Sequence, residues 1–81
     1  MDEYILVDCG FHDELEALAT MRQKCCIIYR GVADEVLEIQ DQIVDIYSAN
    51  KADFLRLRNS TEIRLDRIIS VNGKPIAYCS N

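Results

Sequence analysis

The stretch Phe54-Leu55-Arg56-Leu57-Arg58-Asn59-Ser60-Thr61-Glu62-Ile63-Arg64-Leu65-Asp66-Arg67-Ile68-Ile69-Ser70-Val71 decides the fold class. Leu55, Leu57, Ile63, Leu65, Ile69 and Val71 are apolar and stand at odd positions. Arg56, Arg58, Glu62, Arg64 and Asp66 are charged and stand at even ones. A strand sends alternate side chains to opposite faces, so this parity predicts one apolar face and one wet face. Asn59-Ser60 is turn chemistry between two such runs, which makes the segment an antiparallel hairpin. Pairing brings Arg56 and Arg58 near Glu62 and Arg64 on the wet face, a mixed set of modest worth. One hairpin is not stable alone. The rest of the chain must complete the core.

Upstream, Lys24-Cys25-Cys26-Ile27-Ile28-Tyr29-Arg30 is β-rich and apolar on both faces, as a central strand is. Gly31-Val32-Ala33-Asp34 reads as a loop. From Glu35 to Tyr47 the pattern is β again, but its parity slips: Leu37 and Ile39 are odd, Val44 and Ile46 even. An extra residue near Asp41-Gln42-Ile43 accounts for the slip, so a bulge or sharp bend is expected there. Ser48-Ala49-Asn50-Lys51 turns the chain into the hairpin. Downstream, Asn72-Gly73 is a strong turn signal, and Pro75 confines Lys74-Pro75-Ile76-Ala77-Tyr78 to a sheet edge.

The N-terminal part differs. Tyr4-Ile5-Leu6-Val7 is short and β-prone, and Cys9-Gly10 breaks it. Asp13 and Glu16 then have capping-box spacing, which predicts a helix starting near Asp13. Leu15, Leu18, Ala19 and the stem of Arg22 form its apolar stripe. A single domain over residues 1–81 is expected, mainly β with one N-terminal helix: a small Sm-like antiparallel barrel or sandwich. Leu15, Leu18, Ile27, Leu55, Leu57, Ile63, Leu65 and Ile69 are its expected core.

The chain has 81 residues and a net charge of −5, unevenly distributed. Residues 1–21 hold six acids and no Lys or Arg, whereas residues 51–67 carry a net +2. An acidic quarter repels nucleic acid and attracts a basic partner. Its bland alternative is a solvated helix start, where acids are favoured by the helix dipole. No apolar run approaches a membrane span and the N-terminus lacks a signal-peptide pattern, so a cytoplasmic protein that does not enter membranes is expected.

Cys9, Cys25, Cys26 and Cys79 show no Cys-x-x-Cys spacing and there is one histidine, so no metal site is expected. Cys25 and Cys26, adjacent in a strand, are expected on opposite faces as free thiols. A Gly-rich phosphate loop is missing, and a lone His12 before a helix is more often structural than catalytic. The reading therefore points away from an enzyme and needs no cofactor. Sm-like barrels often bind RNA, and Arg56, Arg58, Arg64 and Arg67, with Tyr47 or Phe54 for stacking, form a candidate strip. Glu62 and Asp66 interrupt that strip, and direct RNA binding is the weaker reading.

The segment Tyr4-Ile5-Leu6-Val7-Asp8-Cys9-Gly10-Phe11-His12-Asp13-Glu14-Leu15-Glu16 resembles the N-terminal signature of the Rho-binding antiterminator (Rof) family. Tyr4, Val7, Cys9, His12, Asp13, Leu15 and Glu16 occupy the signature's positions, while Leu6 stands where members often carry Pro. Glu62-Ile63-Arg64-Leu65-Asp66-Arg67-Ile68 is similar to the family's closing β-segment. The resemblance implies a small β-structure with one helix that binds the transcription termination factor Rho and obstructs its access to RNA, suppressing termination. On that reading Asp8, His12, Asp13, Glu14 and Glu16 meet the partner. Carboxylates there stand in for RNA phosphates before the basic surface of an RNA motor.

Overall fold

The computed structural model describes residues 7–76. Its order is a helix α1 (Cys9–Met21), then strands β1 (Lys24–Arg30), β2 (Val36–Ala49), β3 (Ala52–Leu57) and β4 (Glu62–Arg64), a 3₁₀ turn (Leu65–Arg67), and strands β5 (Ile68–Val71) and β6 (Lys74–Pro75). All pairings are antiparallel, in the order β4-β3-β2-β1-β5-β6.

The central hairpin forms as its parity predicts. Leu55 pairs with Ile63 and Arg56 with Glu62. Leu55, Leu57, Ile63 and Leu65 are buried, while Arg56 and Glu62 are exposed. In the turn, Ser60 takes φ 76° and the Asn59 side-chain carbonyl accepts from the Thr61 amide at 3.0 Å. That is the local hydrogen bonding for which Asn is favoured in turns.

β2 is long because it serves two partners. Its first half pairs with β1 (Val36 to Gln42) and its second half with β3 (Ile43 to Ala49). The register slips between Ile43 and Asp45, so Val44 is the extra residue. The predicted break is therefore present, with the bulge one residue beyond the predicted window. Asp41 organises the bend. Its carboxylate accepts from the Gln42 amide at 2.7 Å and from the Asn59 amide at 3.1 Å, and the Gln42 carbonyl accepts from the Arg58 amide at 2.9 Å. The β3–β4 turn is thus pinned to the place where β2 changes partner.

The 3₁₀ turn shows that the sheet curls. β4 and β5 have three strands between them in the sheet order, yet only Leu65–Arg67 joins them. Three residues of 3₁₀ helix rise about 6 Å. β4 and β5 must therefore approach each other, which curls the sheet into a barrel-like form, and the dimensions of 30 × 27 × 24 Å agree. The turn also shifts the parity that precedes it. In β5 the pairing passes from Ile28–Ser70 to Tyr29–Ile68, leaving Ile69 in a bulge. Ile68 and Val71 are buried as a result and Ile69 is only partly so, which overturns Ile69 as a core residue. β1 is central, between β2 and β5, as its two apolar faces predict.

α1 packs against the sheet, chiefly along β2, with Phe11 and Leu15 buried and Leu18 and Ala19 packed against the core at partial exposure. It starts earlier than expected. Asp8 is the N-cap, its carboxylate accepting from the Gly10 and Phe11 amides at 3.0 and 3.4 Å. Asp13 lies a turn inside the helix and caps nothing. Arg22 ends the helix in the left-handed region (φ 56°) and is exposed, so its stem does not join the apolar stripe. Val7 is buried, whereas the rest of the Tyr4–Val7 expectation, and Ala77 and Tyr78 of the last strand, lie outside the described residues.

Candidate partner-binding surface

The carboxylates expected to meet a partner divide into three groups once α1 is in place. Asp8 is occupied at the helix start by the two amides it caps. Glu14 points to the β5–β6 turn, where the Lys74 ammonium donates to its carboxylate. His12, Asp13 and Glu16 share the remaining side. The His12 Nδ1 and Glu16 Oε1 atoms are 2.9 Å apart, at the i, i+4 spacing of one helix face. Asp13 is exposed and makes no ion pair among the described residues.

The arrangement leaves carboxylate oxygens available. Glu16 and Glu14 are both about half exposed in their pairs. Exposed polar and ionic contacts of this kind contribute about 0–1 kcal/mol. A cationic partner can replace either at little cost, whereas displacing Asp8 uncaps the helix. Within the acidic quarter, Asp13 and Glu16 with His12 are thus the group left open to solvent on one helix face, while Glu14 is tied to Lys74.

Side-chain donor atoms of His12, Asp13 and Glu16 lie within 4.8 Å of one another. Cysteine spacing does not signal this grouping; a His and a Glu four residues apart on a helix do. His12 is half-buried and Asp13 and Glu16 are exposed, and exposed acidic groups lie this close together in many proteins without a metal. Cys9, Cys25 and Cys26 are free thiols, and Cys79 lies outside the described residues. Cys25 is fully buried and Cys26 half-buried on the other face, where its thiol donates to Glu38 at 3.0 Å. Burial pushes the Cys25 thiol up, partly offset by a hydrogen bond with Asn72. The bond to Glu38 pushes Cys26 up.

The arginines do not form a continuous basic strip. Arg56 faces Asp45 at 3.6 Å. Arg64 holds Asp66 in a two-pronged contact at 2.6 and 2.9 Å, with the Asp66 side chain only 4% exposed. Arg67 faces Asp34 at 3.7 Å and also reaches the Gly31 carbonyl at 3.5 Å. Of these four arginines, Arg58 alone makes no ion pair among the described residues. Nor are the aromatic rings independent platforms. Tyr47 and Phe54 stack on each other across β2 and β3, with centroids 5.6 Å apart, and the Tyr47 hydroxyl donates to Glu62. That bond pushes the Tyr47 hydroxyl up. The wet face of β2, β3 and β4 is a mosaic of paired charges.

No helix among the described residues is long and apolar enough to cross a membrane. No protein-family model matches the chain, and no curated protein matches it in sequence.

Proposed function

We propose that this protein is an inhibitor of transcription termination factor Rho, binding Rho through its acidic N-terminal helix and blocking access to RNA. The observation that carries the reading is the face of α1 bearing Asp13 and Glu16, exposed carboxylates in the segment whose residues resemble the Rho-binding antiterminators. A surface that grips RNA phosphates is basic. Carboxylates on a rigid helix compete for the same Arg and Lys groups. No Lys or Arg precedes Arg22, so nothing in residues 1–21 opposes that attraction. The arginine face supports direct RNA contact less well, since three of its four arginines already have acidic neighbours.

The test is titration of purified Rho with the parent and charge variants, alongside Rho's RNA-dependent ATPase and a parallel titration with RNA alone. Asp13→Lys is the cleanest probe, because Asp13 neither caps α1 nor pairs with Lys74. It should weaken Rho binding by about tenfold or more, as repulsion replaces attraction. Glu14→Lys also brings a second cation to Lys74, so its effect mixes binding with stability. Arg56→Glu should leave Rho binding nearly intact. Binding should fall as salt rises, since exposed charges are screened beyond about 8–10 Å near physiological ionic strength. The proposal fails if Asp13→Lys inhibits like the parent while Arg56→Glu abolishes inhibition, or if the parent binds RNA and not Rho.

A further inference from the structure

A groove of 520 Å³ runs between the exposed side of α1 and the bend of β2. Glu16, Ala19 and Thr20 line one wall, and Val44, Asp45 and Ile46 the other. Arg22, past the end of α1, also lines the groove. The helical wall has a simple origin. Residues three and four apart share a helix face, so Glu16, Ala19 and Thr20 continue the line that His12 begins. The sheet wall depends on the bulge. Val44, the extra residue between Ile43 and Asp45, leaves the alternation of β2 and remains 44% exposed. A valine held at a groove wall has no role in the core cluster, and the groove beside it carries a carboxylate on each wall.

We infer that this groove seats a basic side chain of the protein partner, an arginine or lysine of Rho on the reading above. The occupant's chemistry follows from the lining. An aliphatic stem lies against Ala19, Val44 and Ile46, while the cationic head meets Glu16 and Asp45. Both carboxylates are about half exposed, and each is held only by an exposed pair, Glu16 with His12 and Asp45 with Arg56 at 3.6 Å. Neither is committed to a buried contact. Arg22 repels a cation placed beside it, so the head is directed to the two carboxylates. The groove continues the Asp13–Glu16 surface. It adds the side chains of Val44 and Ile46 to a lining that is otherwise mostly polar.

Val44→Arg tests this, because it fills the groove with the chain's own cation at a position outside the core. Val36→Arg is the control, at an exposed valine remote from the groove lining. Val44→Arg should raise the Kd for Rho about tenfold or more, while Val36→Arg should bind like the parent. Thermal melts matched to the parent show that both variants fold. A second arm uses a probe of defined chemistry, acetyl-Ala-Arg-Leu-Ala-amide, titrated into the 81-residue chain and followed by amide NMR. Saturable shifts are expected at Ala19, Thr20, Val44 and Ile46, lost in Val44→Arg and missing with the Gln-for-Arg peptide. Rho binding that Val44→Arg leaves unchanged overturns the groove while the Rho reading stands. If the parent fails to bind Rho, that reading falls, and the peptide arm decides the groove alone. Equal shifts from the Gln peptide, no saturable shift, or a parent dimer that Val44→Arg dissociates each overturn it, the last by assigning the groove to a second copy.

Discussion

Asp8 and Asp13 carry the same side chain and do different things. Asp8 accepts from two amides that the first turn of α1 would otherwise leave unsatisfied. Asp13 faces solvent. Asp8→Ala should therefore cost about 1 kcal/mol, which lowers the melting temperature of a domain this size by about 4–8 °C. Asp13→Ala should stay within about 0.5 kcal/mol of the parent. Calorimetry on the two variants checks the assignment, and equal melting would return the cap to Asp13. The thiols separate in the same way. Cys25 has no accessible surface and burial raises its pKa, while Cys9 is exposed. The thiolate is the reactive species, so both effects slow alkylation of Cys25. Iodoacetamide at pH 8 should label Cys9 well before Cys25, with peptide mapping as the readout. Equal labelling rates would show that Cys25 is not held in the core.

Turns decide how the strands are joined. Asn50 and Lys51 both take positive φ, 52° and 65°, between the paired Ala49 and Ala52. This is a two-residue hairpin with both central residues left-handed, the geometry for which Asn-Gly is preferred. Lysine bears a Cβ penalty there that glycine avoids. Lys51→Gly should stabilise the protein by about 0.5–1 kcal/mol in chemical denaturation, the gain in the turn exceeding glycine's unfolded-state entropy. A loss of stability would mean that the Lys51 side chain has a role beyond the turn. The Asn72–Gly73 turn already has the favoured pair, with φ of 53° and 81°. Asn72 also ties that turn to β1, exchanging hydrogen bonds of 2.7 and 2.9 Å with the Cys26 backbone. The wet side of the hairpin was legible from its charges, but not its arrangement. Arg56 lies between Asp45 on β2 and Glu62 on β4 only because both neighbouring strands are in register.

At the scale of the whole molecule, stability rests on one small core joining both halves of the sheet to α1. Leu65 lies at the crossing from β4 to β5 and is fully buried. Leu65→Ala should cost about 2–5 kcal/mol. A domain's whole stability is about 5–15 kcal/mol, so the variant should be partly or wholly unfolded at moderate temperature. Parent-like melting would remove Leu65 from the core. The sequence by itself determined the β class, the central hairpin, the break in β2, the edge position of Pro75 and the acidic start of the chain. These depend on the two-residue period of a strand, on turn residues and on charge, all local properties. Only the tertiary structure decided where the helix is capped, that Ile68 rather than Ile69 enters the core, that Val44 is the bulged residue, and that Arg64 and Arg67 are matched by acids. Each depends on which strand lies alongside, and register sums contacts between residues far apart in the chain. The acidic site shows both levels. Its charges are read from the sequence, but Asp8 is set aside by capping and Glu14 by Lys74, a residue sixty positions away. Packing α1 onto the barrel is what leaves Asp13 and Glu16 beside the groove of Val44.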